Sequence, residues 1–518
     1  MNKFFRSLLG LSLFIFLLIS CGEPKISVLE SSSQSFLWED KTELYLPKTA
    51  EWTNRVEVAD LNDDGLVDLI FANGGNYSEP GELESSRVFL NQGPESKFLE
   101  ITDQVFGDEK FYARVIKARD LNNDGIPDLI VGGTFQTQSE LYFGTGNGEF
   151  KKVTKTNLPE KIASVGDLEF GDVDDDNDLD IILSDWGPGS NMTNDGGRTM
   201  LWLNDGNGKF EDVTDSQMPD LLIQFSWDLE FLDLDNDFDL DIAISCKRCG
   251  TSRIFINDGS GNFEDKRMLP AYTNNYEFEA MDINADGFLD LVTVNDGEIV
   301  DENSWSRREH IFLNDSAKRF IDATSRLWED ESNNGEDDNN VVFLDFDSDG
   351  DADFILSSLT GEDRLLINDG TGKFELRQSI LSGAPSPLTL SLVFADINND
   401  HKMDIVMGQG EGESMIEERI FMGTNIVPDQ AKPIISHIEV KKQEKGISSV
   451  KARIHDHKSP SMPQDWQSVF LKINGNEAPM EWYGEYLWKA VIQDLSPDDL
   501  LEICATDAAG NQSCFEVL

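Results

Sequence analysis

One pattern constrains the fold more than any other: D-h-[DN]-x-D-x-x-x-D, with h apolar, followed each time by an apolar run. It occurs seven times, beginning at Asp60, Asp120, Asp172, Asp233, Asp282, Asp345 and Asp396. A motif that returns every 49 to 63 residues signals repeats of one supersecondary unit, each burying a face of the next. An alternating segment leads into the loop, such as Leu390-Ser-Leu-Val-Phe394, and another leaves it, such as Leu240-Asp-Ile-Ala-Ile244. A third, such as Met200-Leu-Trp-Leu203, precedes an Asn-Asp-Gly turn and a fourth that starts at Phe, as in Asn204 to Phe210 and Asn368 to Phe374. Four short strands per unit predict an all-β chain, a seven-bladed β-propeller.

The loop chemistry points to a hard cation. Ca²⁺ takes six to eight oxygens at about 2.3–2.6 Å, and acidic side chains at positions 1, 3 and 5 of a tight loop converge on one point. Position 7 offers a backbone carbonyl and position 9 closes the shell. The first three loops then supply Asp60, Asn62, Asp64, Leu66 and Asp68; Asp120, Asn122, Asp124, Ile126 and Asp128; and Asp172, Asp174, Asp176, Asp178 and Asp180. The fourth and fifth supply Asp233, Asp235, Asp237, Asp239 and Asp241, then Asp282, Asn284, Asp286, Phe288 and Asp290. The last two supply Asp345, Asp347, Asp349, Asp351 and Asp353, then Asp396, Asn398, Asp400, Lys402 and Asp404. Up to seven structural Ca²⁺ ions are expected. An EF-hand needs Glu at position 12, where this chain has Phe71, Val131, Leu183, Ile244, Thr293, Leu356 and Met407.

These features resemble the FG-GAP/VCBS repeats of integrin α-subunit propellers and of many bacterial surface proteins. The resemblance implies a calcium-bearing propeller over residues 35–425. The seventh unit lacks its Phe and fourth strand after Gly423, and Ser35-Phe-Leu-Trp-Glu-Asp-Lys-Thr42 is similar to Lys209-Phe-Glu-Asp-Val-Thr214. The N-terminal strand is therefore expected to complete the seventh blade and remove exposed edges. Position 6 is Gly65 in the first loop but Asn177, Phe238 and His401 in three others. Phe and His are strained there by roughly 1 kcal/mol if the backbone is left-handed, and the seventh loop is expected to bind most weakly.

The flanks read differently. Lys3 and Arg6 precede the apolar run Leu8 to Leu18, and Leu18-Ile19-Ser20-Cys21-Gly22 resembles the lipobox of bacterial lipoproteins. That resemblance implies a signal peptide over 1–20, lipidation at Cys21 and a tether over 21–34. It also implies a lipid-anchored position in the cell envelope, with Gly22 favouring the outer membrane. The remaining cysteines, Cys246 with Cys249 and Cys504 with Cys514, are expected to form disulfides. After a linker at 426–433, alternating strands over 434–518 predict a small β-sandwich. Its closing Ala505-Thr-Asp-Ala-Ala-Gly-Asn511 resembles the last hairpin of bacterial Ig-like domains.

Function is read from what the inventory contains. The formal charge of −56 argues against nucleic-acid partners, because phosphate binding needs clustered Lys and Arg. No G-x-S-x-G, P-loop or H-E-x-x-H motif is present, so no catalytic residue or enzymatic activity is expected. Connections between second and third strands lie opposite the metal loops and carry Tyr77, Trp186 and Trp305, expected to present aromatic surface to a protein or glycan ligand. The chain reads as a calcium-binding envelope lipoprotein acting as a binding or adhesion module. A polysaccharide- or lipid-acting enzyme and a scaffold subunit are the alternatives.

Overall fold

Alternating apolar residues pair into antiparallel four-stranded sheets, and the turn residues between them set the order in which the strands lie. The computed structural model describes residues 36–517 apart from positions 50, 76–78, 190–193, 248, 273, 296–297, 302–303, 307, 317–318, 330–331, 334–335, 383–387, 411–416 and 444–445. The expected signal segment, Cys21, the tether and Tyr77 lie outside the described residues. No helix among them is long and apolar enough to cross a membrane.

Among the described residues, seven four-stranded sheets precede residue 425. The first runs Thr53–Ala59, Asp68–Asn73, Arg87–Leu90, Leu99–Glu100, with neighbours in that order. The next five repeat this arrangement. The seventh consists of Thr389–Ala395, Asp404–Gln409 and Arg419–Met422, completed by Glu39–Asp40 from the N-terminal end. There Glu39 pairs with Met422 and Asp40 with Phe421.

A local motif shows that this N-terminal strand fills the place of a fourth strand. In the first, second, third and fifth sheets a Thr follows the fourth strand and opens a four-residue helical turn. Its hydroxyl accepts the amide of a third-strand residue, as in Val88 to Thr102, Leu141 to Thr154, Leu201 to Thr214 and Ile311 to Thr324 at 2.9–3.1 Å. Thr42 makes the same bond to the Ile420 amide at 3.0 Å, across 378 residues of chain.

The first strands touch one another in a closed series, each meeting those of the sheets before and after it, and Thr389–Ala395 meets Thr53–Ala59. They are buried along their length; Asn275–Met281 and Asp338–Leu344 are buried at every position. The Phe that opens the fourth strand is buried between sheets at 210, 263, 320 and 374. Truncating a ring of this kind to Ala costs about 3–5 kcal/mol.

Asn residues after the third strands tie neighbouring sheets together. Asn204 Nδ2 donates to the Leu121 carbonyl at 2.8 Å, Asn257 to Val173 at 2.9 Å and Asn314 to Leu234 at 2.9 Å, each in the loop of the preceding sheet. Asn91 does the same to Ile397 at 2.9 Å, joining the first sheet to the seventh.

The residues beyond 433 form two further four-stranded sheets around one core that includes Val450, Ile454, Leu471, Trp488 and Ile503. One contains Ile434–Lys442, Ile447–His455, Leu487–Gln493 and Glu481–Gly484, the other Asn476–Pro479, Trp466–Ile473, Leu501–Asp507 and Gln512–Val517, each with neighbours in that order. Cys504 and Cys514 stand directly opposite on neighbouring strands and are bonded, as are Cys246 and Cys249. This module belongs to the same compact unit as the ring, and residues 426–433 pack between them, with Ile426 and Ala431 buried.

Candidate metal centres

All seven acidic loops join first and second strands, so they share one face of the ring. Their backbone is left-handed at position 4 as well as position 6. Position 4 is Asp63, Asn123, Asp175, Asn236, Ala285, Ser348 and Asn399, with φ between 55° and 63°. At position 6, Phe238 and His401 adopt φ of 68° and 62° despite their side chains. Phe238 is compensated by burial at 5 % exposure, and its carbonyl accepts the Tyr483 hydroxyl at 3.0 Å.

Within a loop the side chains are drawn inward by amide donors. Asp60 Oδ1 accepts the Asp64 amide at 3.2 Å and Oδ2 the Gly65 amide at 2.8 Å, while Asp64 Oδ1 accepts Leu66 at 2.9 Å. Equivalent bonds hold Asp120, Asp282, Asp345 and Asp396. Position 9 has a role beyond closing a shell. Asp68 is fully buried; its Oδ2 accepts the Leu61 amide at 2.8 Å and its Oδ1 the Asn91 amide at 2.7 Å. Asp128, Asp180, Asp241, Asp290, Asp353 and Asp404 repeat this double anchor. Position 9 thus fixes the loop to the third strand.

The donor sets fit a hard cation. One oxygen each of Asp172, Asp174 and Asp180 lies within 4.8 Å of the others, and the same holds for Asp233, Asp235 and Asp237 and for Asp345, Asp347 and Asp353. Asp174 Oδ1, Asp235 Oδ1 and Asn284 Oδ1, all at position 3, are buried without a hydrogen-bond partner among the described residues, as is Asp351 Oδ1. Asp174 and Asp235 thus combine an orphaned oxygen with membership of a converging carboxylate group, which is what a cation would satisfy. Burial first, and loop carboxylates second to the amide bonds that oppose it, push Asp68 and Asp128 up to about 7, Asp290 and Asp353 to about 8 and Asp180 to about 9. Position 1, 3, 5 and 9 side chains with the position 7 carbonyl are the groups that would hold Ca²⁺.

The C-terminal module rests on this loop face. Gln464 Nε2 donates to the Val58 carbonyl at 2.8 Å, the Phe343 amide to Ser459 Oγ at 3.0 Å and the Tyr486 hydroxyl to the Ala280 carbonyl at 2.7 Å. Three of its cations reach the third and fourth loops. Lys489 pairs with Asp172, Lys451 lies 3.3 Å from Asp175, and Arg453 Nη2 lies 3.2 Å from Asp233 Oδ2 and 2.5 Å from Asn236 Oδ1.

Beneath the module, the first strands enclose a cavity of about 80 Å³, also lined by Pro460, Met462 and Glu485. Apart from Glu485, its charge comes from residues three and five positions ahead of the first five loops: Arg55 and Glu57, Lys117, Asp167 and Glu169, Asp228 and Glu230, Glu277 and Glu279. Arg55 pairs with Asp228 and Glu277 at 3.2 and 3.1 Å, and Lys117 with Glu169. The fixed offset from the loops was visible in the sequence, but strand alternation alone did not mark these residues as a channel lining.

Of the aromatics expected to face a ligand, Trp186 is placed otherwise. Trp186 is 2 % exposed, stacked on Phe225 and tilted against Trp227 at centroid distances of 5.4 and 5.5 Å, so it is core rather than a binding platform. Its apolar ring gains more from that cluster than from water. Trp305 lies in Ser304–Ser306, paired with Glu298–Asp301, and its side chain is outside the described residues.

A closed series of four-stranded sheets, each with its loop at the same corner, is a β-propeller. Four segments, residues 60–131, 120–183, 233–293 and 345–407, match the FG-GAP-like repeat, and all seven loops fall inside them. The chain is thus a β-propeller carrying FG-GAP-like repeats. It is similar to an Agrocybe aegerita lectin that recognises non-reducing terminal N-acetylglucosamine, at 16% identity and TM-score 0.44, over 64% of this chain and 80% of that one. A Penicillium chrysogenum alpha-L-arabinanase complexed with arabinobiose is similar at 10% identity and TM-score 0.38, over 76% and 98%. The Photorhabdus luminescens Tc holotoxin pore is similar at 12% identity and TM-score 0.35, over 85% of this chain and 22% of that one. No curated protein sequence matches the chain.

Proposed function

We propose that this chain is a calcium-binding cell-envelope lipoprotein whose seven-bladed propeller is a binding module for a protein or glycan, without catalytic activity of its own. The observation that carries the calcium reading is that Asp174 and Asp235, each with an orphaned oxygen, are grouped with the position 1 carboxylates Asp172 and Asp233, in loops whose geometry repeats seven times. The lipid anchor at Cys21 and the outer-membrane location rest on the lipobox resemblance. The paired C-terminal sheets are read as an Ig-like domain. Because that domain covers the loop face, the opposite face is the one left for a partner. The connections from Ala72 to Arg87, Ser184 to Arg198 and Val294 to Glu309 are the contact elements on that face. Exposed Glu79, Glu82 and Leu83 belong to the first of these.

The test is binding of the full chain to a glycan array and to envelope proteins, with release of reducing ends or unsaturated sugars followed on the same samples. Retention without turnover, lost when the 79–86 segment is replaced by a Gly/Ser linker, supports the reading. Turnover of any bound glycan overturns it.

A further inference from the structure

Asp429 lies in the linker, Asp456 directly follows the strand Ile447–His455, and Asp507 ends the strand Leu501–Asp507 of the other C-terminal sheet. Although they come from three separate segments, one oxygen of each lies within 4.8 Å of one from each of the others. None belongs to a propeller loop.

The cluster is not a solvated surface patch. Asp507 is 1 % exposed, and its Oδ1 accepts the Asn511 amide at 2.8 Å. Its Oδ2 has no hydrogen-bond partner among the described residues, and neither does Asp456 Oδ1. A buried oxygen left this way is unfavourable unless something positive meets it. Asp429 and Asp456 border one small cavity, and the ammonium on its wall, Lys458, is engaged by both oxygens of Asp465 at 2.8 Å. Burial, with Asp429, Asp507, Asp465 and Asp345 adding repulsion, pushes Asp456 up to about 9. Burial and Asp507 push Asp429 up to about 6, against the Ala431 amide, which donates to its Oδ1 at 3.0 Å, and the charge of His401.

We propose that Asp429, Asp456 and Asp507 bind a calcium ion at a site separate from the seven loops, tying the linker to both sheets of the C-terminal module. Oxygens bound to one Ca²⁺ at about 2.4 Å stand up to about 4.8 Å apart, so three oxygens within 4.8 Å of one another are spaced to share an ion. An ion here neutralises two of three clustered charges and supplies the partner that Asp507 Oδ2 and Asp456 Oδ1 lack.

Trp466 borders the cavity shared by Asp429 and Asp456, which provides a local optical probe. The experiment titrates the calcium-depleted full chain with Tb³⁺, exciting tryptophan, and counts bound Ca²⁺ by equilibrium dialysis and atomic emission. Asp456→Asn and Asp507→Asn should each lose one equivalent of Ca²⁺ and several-fold of the emission that Trp466→Phe removes. Trp466→Phe should lose that emission with its calcium count unchanged, and both Asp variants should keep the parent's far-ultraviolet circular dichroism and its remaining calcium equivalents, which a folding defect would not. Undiminished calcium counts in both Asp variants, or no Trp466-dependent emission in the parent, overturn the proposal.

Discussion

Arg453 Nη2 lies 3.2 Å from Asp233 Oδ2, and both side chains are almost wholly buried, at 2 % and 0 % exposure. The first carboxylate of the fourth loop is thus shared between the loop and the C-terminal module. Burial holds Asp233 above the usual carboxylate range and Arg453 opposes that rise. This pair, with Lys489 on Asp172, links docking of the module to the charge state of two loops.

Removing one partner of a buried ion pair leaves the other uncompensated, at a cost of about 3–5 kcal/mol. Arg453→Ala is expected to lose about that much in EDTA and clearly less in saturating Ca²⁺, where the ion offsets Asp233. Urea unfolding under both conditions measures the difference. Equal losses would mean that loop and module do not communicate through Asp233.

Asn91 donates through Nδ2 to Ile397 at 2.9 Å and to Val67 at 3.1 Å, closing the ring between first and seventh sheets. Asn91→Ala is expected to cost about 1–3 kcal/mol, since the buried carbonyls lose their donor. Amide exchange in Glu39–Asp40 and Arg419–Met422 should speed up more than in the third and fourth sheets.

His401 and Phe238 share a left-handed backbone but differ in burial. The His401 side chain is 52 % exposed, so His401→Gly relieves strain and should stabilise by about 0.5–1 kcal/mol. Phe238 is 5 % exposed, so Phe238→Gly loses a packed ring and should destabilise by about 3 kcal/mol or more. Thermal melts of the two variants should move in opposite directions.

Glu418 provides a pH prediction outside the acidic loops. It is 1 % exposed, accepts the Thr53 hydroxyl at 2.6 Å and is pushed up to about 7 by burial, against the opposing Thr53 bond. A carboxyl raised in the folded state contributes most below its unfolded value, near 4.5, and that contribution is lost as pH rises through about 7. Glu418→Gln should therefore gain stability relative to the parent between pH 5 and pH 8. A stability difference independent of pH would show that Glu418 is not held protonated.

The loops, the four strands of each unit and the N-terminal completion of the seventh sheet were legible because each repeats a local rule. Asp at fixed spacing, Thr42 in the place of Thr214, and Phe after Asn-Asp-Gly all report on neighbours within one unit. The double anchor at position 9 was not legible. Asp68 bonds Asn91, 23 residues away, through a backbone amide that any residue could supply. Nor did the sequence place Trp186 in the core, since its partners Phe225 and Trp227 lie in the next repeat. Docking of the C-terminal module depends on Arg453, Lys489 and Tyr483 meeting loops more than 200 residues earlier, and no periodicity encodes such pairings.

Calcium-dependent melting of the full chain tests the account most directly. Seven loops whose carboxylates repel without a cation predict that EDTA lowers the melting temperature by on the order of 10 °C or more. Restoring Ca²⁺ should reverse the shift, and Mg²⁺ should do so poorly. A melting curve unmoved by EDTA and by added Ca²⁺ would contradict calcium as the ion that holds these loops.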